Sequence, residues 1–198
     1  ELLVRELGVS PIISKILTSR NITTTDDAKK YLAPSLRDLH NPFLMQGMQE
    51  GVHRLIKAIY SGEKVAIYGD HDADGVTSVV LLLRFLKDIG VPASYYIPNR
   101  IDDGYGLHNK IIAQIKESGV TLLVTVDCGI SDFEQIAYAR SLGIDVIILD
   151  HHEIPGVVPD IVATINPHRD DCQFPFKHLA AVGIVFNFLI ALRGKLRQ

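Results

Sequence analysis

Gly69-Asp70-His71-Asp72-Ala73-Asp74-Gly75-Val76-Thr77-Ser78 follows the apolar run Val65–Tyr68 and opens an amphipathic stretch, Val76–Ile89. A short β-rich run that ends in a polar turn and passes at once into helical spacing marks one unit of a parallel sheet, because parallel neighbours need a crossover and the crossover is usually a helix. The alternation recurs downstream: strand Ala93–Ile97, helix Asn109–Glu117, strand Thr121–Thr125, helix Asp132–Ser141, strand Asp145–Leu149, then a short strand Ile161–Ile165 and a final helix within His178–Leu192. The expected class is therefore α/β, a parallel sheet with helices on both faces. Upstream the texture is helical. Ser10-Pro11 reads as a cap with proline in the first turn, Thr24 or Thr25 before Asp26 and Asp27 starts a helix that stops before Pro34, and Gln46–Tyr60 spaces Val52, Leu55, Ile56 and Ile59 as one helix face. A helical lead-in over 1–62 and an α/β domain over 63–198 are expected.

The 198 residues are 47% hydrophobic, enough for a sizeable core, and 20 Lys+Arg stand against 23 Asp+Glu for a net charge of −3. Such a balance lacks the global signature of a nucleic-acid binder, so an anionic ligand must be held locally. Cys128 and Cys172 make no CxxC pattern, which argues for a reducing compartment, the cytoplasm, and against a disulfide-built secreted scaffold. The longest apolar stretch, Leu179–Leu192, is interrupted by Asn187 and too short to span a bilayer, and no signal-peptide pattern opens the chain, so no membrane association is expected.

Ligands of open α/β sheets sit beyond the carboxyl ends of the strands. The loops there hold Asp70–Gly75, Asp127-Cys128-Gly129, Asp150-His151-His152 and Asn166-Pro167-His168. Asp70, Asp72 and Asp74 at alternate positions repel one another unless a cation or protons neutralise them. An EF-hand is excluded, because the twelfth loop position is Leu81 and a strand leads in. Carboxylates with imidazoles suit Mn²⁺ or Mg²⁺, and two bridged ions would clamp both oxygens of a phosphoryl transfer without a side-chain nucleophile. Gly75–Ser78 either caps the next helix or lends Thr77, Ser78 and free N–H groups to an anion. Arg100 and Tyr105 stand in the loop after the second strand, where a guanidinium can clamp phosphate and a tyrosine can stack or donate. Cys128 reads as a packing residue. There is no GxxxxGK[ST] and no GxGxxG after the first strand, which removes a P-loop ATPase and weakens dinucleotide binding.

In order and approximate spacing, Gly69–Ser78, Val126-Asp127-Cys128-Gly129-Ile130 and Asp150-His151-His152 resemble the first three motifs of the DHH phosphoesterase superfamily. Ile97-Pro98-Asn99-Arg100 followed by Gly104-Tyr105-Gly106-Leu107 is similar to its RecJ branch of single-stranded-DNA-specific exonucleases, as are Lys29–Leu32 and Asn41–Met45 in the lead-in. The resemblance implies a metal-dependent 5′-to-3′ exonuclease of DNA repair and recombination that acts on single-stranded DNA, with helicase or single-strand-binding-protein partners. It implies that Asp72 and Asp127 hold one Mn²⁺ or Mg²⁺ and that Asp74, Asp127 and His151 hold a second, with Asp70 and Asp150 in support. By the same resemblance His152 polarises the scissile phosphate, and Arg100, Tyr105, Thr77, Ser78 and His168 are candidates for phosphate or DNA contact.

The chain departs from the pattern in two places. Tyr68 stands where some members carry a metal-ligating His. No Gly-Thr-Val-Ala-Asp-like fourth motif appears between Ala180 and Gln198, so the expectation is a catalytic domain cut before that motif and before the DHHA1 domain, with weakened metal binding and activity. The competing readings are a DHH phosphodiesterase for short oligonucleotides, cyclic dinucleotides or pyrophosphate, and a non-catalytic nucleic-acid-binding relative.

Overall fold

Side chains alternate between the two faces of a strand, and here both faces are apolar, as in a sheet covered on each side. The computed structural model describes residues 2–99 and 104–197. Within the unit Asn41–Gln198, β1 (Lys64–Gly69), β2 (Ala93–Tyr96), β3 (Val120–Val126), β4 (Asp145–Leu149) and β5 (Ala163–Ile165) form one parallel sheet in the order β2-β1-β3-β4-β5. Val65 and Ile67 of β1, Val124 and Val126 of β3 and Ile147 and Leu149 of β4 share a core with α4 (Met48–Ser61), α5 (Ala73–Asp88) and α8 (Ala181–Leu196). Their neighbours Ala66, Tyr68, Leu123, Val146 and Ile148 pack instead with α6 (Asn109–Glu117) and α7 (Phe133–Ser141). Each fully buried side chain such as Leu55, Leu82 or Phe188 contributes about 1.5–3 kcal/mol.

Residues 1–40 form a separate small unit. Its helices α1 (Leu2–Leu7), α2 (Pro11–Ser19) and α3 (Thr25–Leu32) close around Leu3, Leu17 and Ala28. Ser10 caps α2 and Thr24 caps α3 through their hydroxyls, so the two cap signals in the sequence mark real helix starts.

Of the boundaries that differ from the sequence expectation, three change how the domain and its site are built. The division falls after His40 rather than after residue 62, because α4 buries Met48, Val52 and Leu55 in the core it shares with the sheet. α5 begins at Ala73 rather than Val76: Asp72 Oδ1 accepts the N–H groups of Asp74 (2.9 Å) and Gly75 (3.0 Å), a cap that satisfies two otherwise unpaired donors. β5 has only 3 residues and follows β4 without an intervening helix. Among the described residues, no helix is long and apolar enough to cross a membrane.

Candidate metal centre

β2 and β3 flank β1 on opposite sides, so the chain order reverses there and leaves a crevice at the carboxyl edge. Register then decides which residues meet. Gly69 pairs with Val126 and Val126 with Leu149, so Asp70, Asp127 and Asp150, each the next residue, leave the sheet side by side. The ladder continues one step further, with Asp127 N–H donating to Leu149 O (3.0 Å) and Asp150 N–H to Ile165 O (3.1 Å).

Asp127 is at the centre. It is buried, its backbone adopts the left-handed conformation (φ 61°), and its Oδ1 has no hydrogen-bond partner among the described residues. His151 Nε2 lies 3.2 Å from that oxygen and His152 Nδ1 4.0 Å. Two groups of ligating atoms, each within 4.8 Å of one another, share Asp127: one with His151 and His152, the other with Asp70 and Asp72. Burial and the nearby Asp74 and Asp72 carboxylates push the Asp127 carboxyl up to about 8. The Asp72 carboxyl is held below its usual range, first by the Gly75 N–H. Asp70 Oδ1 is a second buried oxygen without a hydrogen bond among the described residues, although His71 Nδ1 lies 2.8 Å away. Crowded carboxylates with bare buried oxygens and imidazoles alongside suit a divalent cation, which would neutralise the repulsion and fill the open lone pairs.

Asp74 stands differently from the other carboxylates. Its oxygens accept Ala181 N–H (2.7 Å) and Val182 N–H (2.8 Å), and its Oδ2 lies 3.7 Å from His151 Nε2, at the margin of the group formed by Asp127, His151 and His152. Asp150 is fully buried: Oδ1 accepts the N–H groups of His151 (2.7 Å) and His152 (3.1 Å) and faces His152 Nδ1 at 2.7 Å, while Oδ2 accepts Ile130 N–H (3.1 Å). Burial would raise its carboxyl, but these bonds outweigh it and hold it low. The same contact with Asp150 raises His152 to about 9.

The remaining candidates divide. Tyr105 comes to the site, its hydroxyl 3.4 Å from His152 Nδ1. His168 is tied to the His152 turn through Asn166, whose Nδ2 donates to His152 O (2.9 Å) and whose Oδ1 accepts His168 N–H (2.8 Å). Thr77 and Ser78 do not form an anion cradle. The Thr77 hydroxyl donates to Ala73 O and Asp74 O within α5, Ser78 is fully buried, and the Gly75 N–H is taken up by Asp72. Arg100 lies outside the described residues. Cys128 is buried beside the site, and burial pushes its thiol up, as suits packing. Sequence reasoning placed Asn166 in a strand-end loop without giving it a role, and it missed the α8 N-terminus as the seat of Asp74. The signal for the second was Ala180, a cap residue with no side-chain acceptor.

The family model described as "DHH family, N-terminal domain" matches residues 64–198. The chain is 40% identical over 194 residues, 98% of its length, to the single-stranded-DNA-specific exonuclease RecJ of Bacillus subtilis (strain 168), and covers 25% of that protein. It is 38% identical over 190 residues, 95% of its length, to RecJ of Escherichia coli (strain K12), covering 32% of it. The crystal structure of RecJ in complex with Mn²⁺ from Thermus thermophilus superposes over 98% of this chain and 27% of that one, with a TM-score of 0.76 and 25% identity. The chain thus spans a quarter to a third of the length of these curated relatives. With a family model that runs from β1 through α8 and takes in every loop that meets at this sheet edge, the chain belongs to the DHH family.

Proposed function

We propose that this chain carries the catalytic site of a metal-dependent nuclease that hydrolyses phosphodiester bonds of single-stranded DNA from the 5′ end, in DNA repair and recombination. One observation carries the reading: Asp127, whose Oδ1 is buried and without a hydrogen bond among the described residues, is common to both donor groups at the β1/β3 crevice. Sequence likeness to RecJ over nearly the whole chain supports the substrate, and the Mn²⁺ complex of the Thermus thermophilus relative supports the metal. Asp70, Asp72 and Asp127 would hold one Mn²⁺ or Mg²⁺, and Asp127, His151 and Asp74 a second. Such ions supply charge for the phosphoryl oxygens and a bound water of lowered pKa.

The chain's own residues do the rest. Asp150 fixes the His152 ring through Nδ1, which leaves Nε2 to hold a phosphoryl oxygen of the scissile bond. Tyr105, His168 and Arg100 serve the phosphates of the strand, local contacts that a chain of net charge −3 requires. The buried free thiols of Cys128 and Cys172 suit a reducing cytoplasm.

The test uses single strands labelled at either end, with Mn²⁺ and with chelator. It compares this chain with the same chain grafted into Bacillus subtilis RecJ in place of the matched quarter. Mn²⁺-dependent release from the 5′ label by the graft, lost in Asp127→Ala, is the expected result. Cleavage of cyclic or very short substrates alone would replace the exonuclease with the smaller-substrate reading, and DNA binding without cleavage would replace it with the non-catalytic one.

A further inference from the structure

Tyr68 offers its hydroxyl to a backbone group: buried at the end of β1, it donates to the carbonyl of Gly106 at 3.0 Å. Asp132, just ahead of α7, reaches the same turn from the loop after β3, and its Oδ2 accepts Leu107 N–H at 3.1 Å. Gly106 fits between them because it is glycine. Its φ is +87°, and a Cβ there would lie 2.6 Å from Asp132 Oδ1. Two side chains, one from the end of β1 and one from the start of α7, therefore grip consecutive backbone groups of one turn.

The residue ahead of that grip is Tyr105, whose hydroxyl lies 3.4 Å from His152 Nδ1, with the two rings edge to face at 5.9 Å. Asp150 Oδ1, at 2.7 Å from Nδ1, already accepts two backbone N–H groups and can only accept from the ring, so the ring proton sits on Nδ1. The Tyr105 oxygen then stands beside that proton as a second acceptor, and its own O–H can turn to another oxygen.

We propose that Asp132 and Tyr68 are positioning residues, holding the Gly104–Leu107 turn by its backbone so that the Tyr105 hydroxyl stays beside His152 and donates to a phosphoryl oxygen of the substrate. The grip stands on the geometry alone; the donation to phosphate rests on the phosphodiesterase reading above.

The experiment separates these two parts. The chain is labelled with ring-¹³C tyrosine, and the Tyr105 signal is assigned by Tyr105→Phe. Tyr68→Phe and Asp132→Ala are expected to shift and narrow that signal, as the ring leaves its edge-to-face contact with His152. Asp132→Asn, whose amide oxygen still accepts Leu107 N–H, should restore it, and Mn²⁺ affinity should stay within about twofold of the parent throughout, since neither residue belongs to the donor groups. Affinity for a 5′-phosphorylated single strand should fall roughly threefold to tenfold in Tyr105→Phe, the worth of one hydrogen bond, and similarly in Asp132→Ala, with no further loss in the double variant.

A Tyr105 signal unmoved by Tyr68→Phe and Asp132→Ala overturns the grip. A signal that moves while strand affinity holds overturns the phosphate contact alone. Should Asp132→Ala fail to fold, Tyr68→Phe, which removes a single hydroxyl, decides the matter.

Discussion

The Asp74 carboxylate accepts the first two backbone N–H groups of α8, from Ala181 at 2.7 Å and from Val182 at 2.8 Å. α8 has no cap of its own, since Ala180 precedes it. A carboxylate from α5 supplies the missing acceptors and places negative charge at the positive end of the helix dipole. The loop that carries the donor groups and the last helix of the fold are therefore joined through one side chain.

That joint should show in the metal-free chain. Asp74→Ala is expected to lower unfolding stability by about 1–2 kcal/mol in urea with chelator present, the usual cost of a lost helix cap. Asp74→Asn, which keeps one acceptor, should lose less. An alanine variant as stable as the parent would mean that α8 does not depend on this contact.

Asp127 should behave in the opposite way. Its Oδ1 has no hydrogen bond among the described residues, and burial together with the Asp74 and Asp72 carboxylates disfavours its ionised form, so Asp127→Asn should leave the metal-free chain as stable as before or more so. Asparagine also tolerates the left-handed backbone at this position. In calorimetric titration with Mn²⁺ the same variant should lose more affinity than Asp70→Asn, because both donor groups contain Asp127 and only one contains Asp70. Added Mn²⁺ should raise the parent's melting temperature through mass action and barely move that of Asp127→Asn. Equal losses at positions 70 and 127 would reverse the ranking.

A residue with no ligand atom should also matter. A Cβ on Gly75 would lie 2.4 Å from the carbonyl oxygen of Asp70, a backbone atom that cannot swing aside. Gly75→Ala must therefore displace either the Asp70 turn or the first turn of α5. It should cost on the order of 1–3 kcal/mol and lower Mn²⁺ affinity, both readable from melting curves with and without the ion. Unchanged metal binding would show that the turn can shift without disturbing the donor groups.

Away from the site, Arg54 lies between Glu63 (Nη2–Oε2 2.6 Å) and Asp145 (Nε–Oδ2 2.5 Å), and Thr121 also donates to Glu63. Burial alone would raise the Glu63 carboxyl, but the hydrogen bonds from Arg54 and Thr121 outweigh it and hold it below its usual value. The folded form thus prefers the ionised group. Its contribution is complete above the unfolded carboxylate range, about pH 4–5, and is lost as pH falls through the lower folded value. Glu63→Gln should cost about 1–3 kcal/mol at neutral pH, with the gap to the parent closing as pH falls below the unfolded carboxylate range. A gap that stays constant over that fall in pH would remove Glu63 from the acid response.

Short continuous apolar runs alternating with helical spacing were enough to specify the parallel α/β class, since they leave few other ways to bury both faces. The sequence also placed Asp70, Asp127 and Asp150-His151-His152 just past strand ends, where open sheets bind ligands. These readings survive because spacing along one segment encodes them. What depends on segments far apart in the chain emerged only once the chain was folded. The order β2-β1-β3-β4-β5 set Asp127 between its neighbours. The uncapped start of α8 drew both oxygens of Asp74, and α4 joined the sheet's core instead of the helical lead-in. Ser78, polar and next to a metal-like motif, is fully buried on the packed face of α5 with Val79 and Leu82. Hydrogen-bond acceptors and core surfaces are matched in space, and no local pattern records which distant partner will supply them.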